Sequence, residues 1–138
     1  MSYIDYINNT SADTLKYLTE AQLLAQLQPL TADQRADFII RKNCRIISGT
    51  NTTADGIDTY VTNFFKDQTV DVITSFPDVP DRKLRVDSTK AILQKIKANP
   101  YNAYISPSNN SKIDLALAQL NEVPRNFYVT DIKLMSQP

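Results

Sequence analysis

Apolar positions along this chain recur mostly three and four residues apart, the spacing of one face of a helix. In "TADQRADFIIRKNCRIISG", residues 31–49, Ala36, Ile40, Cys44 and Ile47 share a face, so the stretch predicts a helix. Thr31 stands as its N-cap and Gln34 follows three residues on, which is a capping box. Arg41, Lys42 and Arg45 fall in its last turns, where cations suit the negative end of the helix dipole. Gly49 is the expected stop, because glycine tolerates the left-handed conformation of a C-cap. The preceding helix repeats the device, with Thr19 answered by Gln22 and Pro29 as terminator. Before it, "TSADTLKYL" predicts a helical turn capped by Thr10 or Ser11. After Gly49, "TTADGIDTYVTNFFKD" opens with Thr52 or Thr53 as cap. It lines Ala54, Ile57, Val61, Phe64 and Phe65 along a second apolar stripe.

Elsewhere the helical period weakens. Residues 1–10, rich in aromatic and β-branched side chains, are expected to form an extended N-terminal arm or a short edge strand. Residues 68–76 fit a helix or a strand equally well. "PDVPDRKLRVD", residues 77–87, reads as a proline-punctuated connector. A helix follows, capped by Asp87 or Ser88, with Ile92, Leu93 and Ile96 inward and Asn99 and Pro100 at its end. "YNAYIS" reads as a strand and "PSNNS" as a turn. "SKIDLALAQLNEVP" reads as a helix with Ile113, Ala116, Leu117 and Leu120 on one face. "RNFYVTDIKLM" alternates like a strand, with a phase slip that suggests a bulge. The expected architecture is a single α-rich α+β domain over residues 1–138. A helical part (11–76, with helices over about 11–75) leads through the 77–87 connector to a smaller mixed part (88–138). The mixed part would carry a β-α-β unit over about 101–135.

Composition changes this picture chiefly by exclusion. A domain of 138 residues buries enough surface to fold without metal or disulfide, and the single cysteine can form no internal bridge. No apolar run reaches the roughly 18 residues that span a bilayer, so no membrane partner is expected. The start lacks a basic segment followed by an apolar core, which points to the cytoplasm or a particle assembled there. The chain has no histidine, so it lacks the commonest catalytic base near neutral pH and the means to build Cys-His or Ser-His-Asp chemistry. One cysteine without histidine makes no zinc site. With 2 glycines, no phosphate-cradling loop can be written. No catalytic residue, cofactor or metal is therefore expected.

The chain is neutral overall, but its charge is uneven. Residues 48–80 sum to −4 and residues 81–138 to +4. Arg82, Lys83, Arg85, Lys90, Lys95 and Lys97 form a basic patch that could track phosphates. No aromatic residue lies within it to stack bases, and a nucleic-acid-binding domain is usually basic in total. Residues 19–47 have a loose helix-turn-helix outline. Recognition helices usually read bases with their N-terminal half, here "ADQRADF", where only Arg35 would meet DNA favourably and Asp33 and Asp37 would be repelled.

These readings favour a non-enzymatic structural or assembly protein. It would be an adaptor- or connector-like subunit that self-associates or docks into a larger oligomer such as a virus or phage particle. The interface candidates lie at the two ends: Tyr3 and Tyr6, then Arg125, Phe127, Tyr128 and Lys133. The alternatives are a small regulator binding nucleic acid through the basic helix, and a small enzyme using Asp, Lys or Tyr groups. In all three readings Cys44, on the buried stripe, is structural. Cys44→Ala should leave any activity intact and cost about 1 kcal/mol or somewhat more in stability. A bulky maleimide should label the native thiol only slowly.

Overall fold

A computed structural model of the protein describes residues 2–49, 56–66 and 82–122. Among these residues the fold is helical. The elements in chain order are α1 (Tyr3–Asn8), α2 (Ala12–Lys16), α3 (Glu20–Leu27), α4 (Ala32–Ser48), α5 (Ile57–Lys66), α6 (Arg82–Lys97), a 3-10 turn (Tyr101–Tyr104) and α7 (Pro107–Glu122). The capping chemistry read from the sequence is in place. Ser11 caps α2, and Thr19 and Thr31 close full capping boxes with Gln22 and Gln34. Gly49 ends α4 in the left-handed conformation at φ 71°.

The centre of the fold is α4. It packs against α1, α2, α5 and α6, and α7 closes the far side against α5 and α6. Five consecutive residues, Ala36 to Ile40, are therefore buried, because successive side chains point to different neighbours. Over this stretch α4 is enclosed around its circumference, whereas Ala32 to Gln34 stay exposed and Arg41 to Asn43 are half-buried. The expected stripe of Ala36, Ile40 and Cys44 is buried, with Ile47 half-buried at its end. On α5, Ile57, Val61, Phe64 and Phe65 are buried, and the rings of Phe64 and Phe65 meet edge-on at 5.2 Å.

Several expectations change. Residues 3–8 are not an extended arm. They form α1, capped by Ser2, whose Oγ accepts the Asp5 N–H at 3.1 Å. Residues 101–104 are a 3-10 turn rather than a strand. Local i to i+3 bonds satisfy their backbone, and no strand lies among the described residues to pair with them. The "PSNNS" stretch is the first turn of α7, with Pro107 at the first helical position, where a missing N–H costs nothing. Helix α6 starts at Arg82, inside the expected connector, so Asp87 and Ser88 are interior rather than caps. The run Arg82 to Arg85 consists of good helix formers, and that preference prevails over the prolines before it. No β-α-β unit is seen among the described residues, and the chain is helix-rich. The expected caps Thr52 and Thr53, the ambiguous 68–76 segment and the C-terminal strand lie outside the described residues.

The two glycines act in different ways. Gly49 has open space where a Cβ would go, and only its positive φ restricts it. At Gly56 a Cβ would lie 2.6 Å from the Cys44 carbonyl oxygen, so the start of α5 approaches the α4 backbone too closely for any side chain. Gly49→Ala should therefore cost about 1 kcal/mol, whereas Gly56→Ala should cost about 1–3 kcal/mol by forcing two backbones apart. Urea denaturation of the two variants checks the order.

Candidate functional site

The strongest polar centre among the described residues is Asp37, on the buried middle of α4. Its residue surface is 4% exposed. Three donors from three elements converge on it. Tyr101 Oη, from the 3-10 turn, donates to Oδ1. Tyr3 Oη, from α1, donates to Oδ2, and Arg41 Nε donates to the same oxygen at 2.9 Å from one turn along α4. The Arg41 guanidinium also lies over the Tyr101 ring, 5.8 Å from its centroid. Burial works against ionisation of Asp37, but the bonds from Tyr101, Tyr3 and Arg41 outweigh it, and the carboxyl is held below its usual range. Burial and the neighbouring carboxylate push both tyrosine hydroxyls well above theirs, so they remain protonated donors. With both oxygens occupied, the carboxylate acts as a tie between helices rather than as an available base.

A second centre joins α5 to α7. Asp58 Oδ1 accepts the Ser106 N–H and the Asn109 Nδ2–H, each at 2.8 Å. Asn109 also donates to Thr62 Oγ1 at 2.9 Å. The first turn of α7 has no acidic residue of its own, and Asp58 of α5 supplies the negative charge there. Burial opposes its ionisation, but the bonds from Ser106 and Asn109 prevail, and its pKa is lowered.

Cys44 is 1% exposed, and burial pushes its thiol up to about 12 against the opposing influence of Arg41. The thiol is unreactive as it stands. Nearby, Tyr60 Oη and Asn43 Nδ2 are buried close to one another without hydrogen-bond geometry to any partner.

The basic segment is only partly described. Arg82, Lys83 and Arg85 lie on the backbone of α6, and their side chains are outside the described residues. Lys90 is half-buried. Lys95 pairs with Asp33 of α4 at 2.9 Å, and Lys97 pairs with Asp114 of α7 at 2.8 Å and bonds Asn110. Thus two of the six cations already face carboxylates. Arg35 turns back to the end of α3, where its Nε donates to the Leu27 carbonyl at 2.9 Å. A cleft of about 330 Å³ beside the Lys95–Asp33 pair is lined by Ala91, Gln94 and Ala98 as well.

Of the interface candidates, Tyr3 and Tyr6 are folded onto the body, both against the ring of Phe38. Arg125, Phe127, Tyr128 and Lys133 lie outside the described residues. Among the described residues no group of three or more metal-ligating side chains occurs, and no helix is long and apolar enough to cross a membrane. Comparison of the chain with protein-family models, curated proteins and solved structures finds no match.

Asp37→Ala leaves two tyrosine hydroxyls and Arg41 without their acceptor and should cost about 3 kcal/mol or more in unfolding free energy. The folded pKa of Asp37 lies below the unfolded one. The stabilisation is therefore complete above the ordinary value near ~4 and is lost as pH falls through the folded value. Urea titrations of the wild type and Asp37→Asn should differ by a constant amount from neutrality to about pH 5 and converge below about pH 4.

Proposed function

We propose that the protein is a non-enzymatic assembly component, an adaptor- or connector-like subunit that associates with itself or docks into a larger oligomer. The observation that carries this reading is the state of its buried ionisable groups. Asp37 is enclosed with both oxygens occupied, and the Cys44 thiol is enclosed with its pKa raised, so these groups hold helices together instead of facing a substrate. Particles assembled in the cytoplasm are the kind of setting that such a subunit suits.

At the N-terminal end the sequence reading of an extended arm does not hold. Tyr3 and Tyr6 pack on Phe38, so the N-terminal segment is no free arm. The other end keeps its candidacy on sequence grounds. Phe127 and Tyr128 supply apolar area, and Arg125 and Lys133 would meet the acidic 55–78 region of a neighbouring copy. Tyr17, at the end of α2, is 73% exposed and adds an aromatic contact point.

Against the nucleic-acid reading stand the pairings of Lys95, Lys97 and Arg35, which leave fewer cations for phosphates. Light scattering coupled to size exclusion, with a DNA mobility-shift assay alongside, separates the two. A defined oligomer that weakens as salt rises, and that Phe127→Ser/Tyr128→Ser impairs without changing the helical circular dichroism, is expected. A monomer that shifts a DNA probe at moderate salt would overturn the proposal.

A further inference from the structure

We infer that α4 carries a receptor for a short tyrosine-bearing helix, filled here by the chain's own α1 and able to take α1 from a second copy. The second half of this inference rests on the assembly reading; the first does not. Helix α1 has six residues, far fewer than an isolated helix needs to persist in water. It is helical because it is docked. Its anchors stand at positions 3, 6 and 7, the i, i+3, i+4 pattern of a helix lying in a groove. Tyr3 bonds Asp37 and lays its ring 6.3 Å from that of Phe38. Tyr6 stacks on the same ring at 6.3 Å and 18°. Ile7 is buried to 1% exposure.

Part of the receptor is built without its occupant. Arg41 and Tyr101 donate to the Asp37 carboxylate through bonds that do not involve α1, so two of its three donors would remain if α1 left. Departure would strip one donor from Oδ2 and uncover Phe38, which is fully buried with α1 in place. An exposed aromatic ring beside a carboxylate short of a donor selects a specific replacement. It needs a hydroxyl donor, then an aromatic ring three residues on and a branched aliphatic residue four on. Every copy of the chain carries that segment. Residues 9–11 link α1 to α2, and the Thr10 carbonyl accepts from Arg45 Nε at 2.8 Å, so the link is tied to α4 at Thr10 and an exchanging segment would have to turn before that point. Exchange of α1 between two copies would reproduce the same contacts in a closed pair.

Hydrogen exchange on the full chain tests the detachment. Amides of residues 6–9 should exchange at least about tenfold faster than those of residues 36–40, through an opening that leaves α4 protected. Exchange of both sets only on global unfolding would overturn the inference. For the receptor itself, a fluorescent peptide of residues 2–10 is titrated into full-length Tyr3→Ala/Tyr6→Ala. Saturable binding is expected, weakened at least about tenfold, or 1.4 kcal/mol, when the peptide carries Phe in place of its first tyrosine. That change leaves the protein unaltered, so folding cannot explain the result. Absence of saturable binding, or indifference to the phenylalanine, would sink the receptor. For the second copy, wild-type association should weaken at least about tenfold in Tyr3→Ala/Tyr6→Ala with helical circular dichroism retained. Association of unchanged strength removes α1 from the contact and leaves the assembly reading standing. A wild type that stays monomeric while the peptide binds rejects the second copy as occupant and rejects self-association, but keeps the receptor.

Discussion

Everything described here hangs on the enclosure of α4. A helix with neighbours on four sides must bury whatever its sequence places in the middle, and in this chain that includes one carboxylate. Asp37 lies between Ala36 and Phe38 in the most enclosed stretch of the molecule. An isolated charge there would be prohibitive, so the surrounding elements must deliver donors to it. Arg41 is local, one turn away. Tyr3 and Tyr101 come from distant parts of the chain, and their positions determine where α1 and the 3-10 turn can sit. The same enclosure brings α5 so near α4 that Gly56 must lack a side chain.

The outer helices are joined by charge and polar pairing as well as by apolar packing. Lys95 with Asp33 and Lys97 with Asp114 tie α6 to its neighbours on either side, and Asp58 ties α5 to the start of α7. The two lysine pairs are partly exposed and add little energy each, but they fix orientation. They also alter the meaning of the basic segment. A row of cations in sequence suggests a phosphate track, yet two of its members already face carboxylates in the fold. Neither carboxylate belongs to the acidic 48–80 stretch, so these pairs take two lysines out of the basic segment and leave the −4 and +4 imbalance along the chain as it was.

Local grammar made the N-terminal half legible. The two Thr-x-x-Gln boxes and Gly49 are short-range signals, and each has its expected role. The stripes on α4 and α5 were equally readable, because burial follows helical period. Three features escaped for physical reasons. In α1, strand-like composition masked the Ser2 cap, although Asp5 at the third position was a usable sign. At α7, the Ser106–Pro107 start resembled a turn, since caps and turns use the same residues. The Asp37 centre needed tertiary knowledge. Its sequence sign was an acid embedded in apolar positions four residues before an arginine, which is compatible with an ordinary surface pair. Nothing local announces that two tyrosines will arrive.

The separations within that centre have a consequence for how the chain finds its shape. Tyr3 is 34 residues from Asp37, and Tyr101 is 64 residues away on the other side. Helices α3 and α4 and their caps can form from neighbours in sequence, on the fast timescale of local structure. Arg41 can reach the carboxylate within α4, but the two tyrosine bonds form only after two large loops have closed, and closure entropy places such contacts late. Until then the half-built core holds a charged group that resists desolvation. Only the native arrangement brings Tyr3, Arg41 and Tyr101 to Asp37 together.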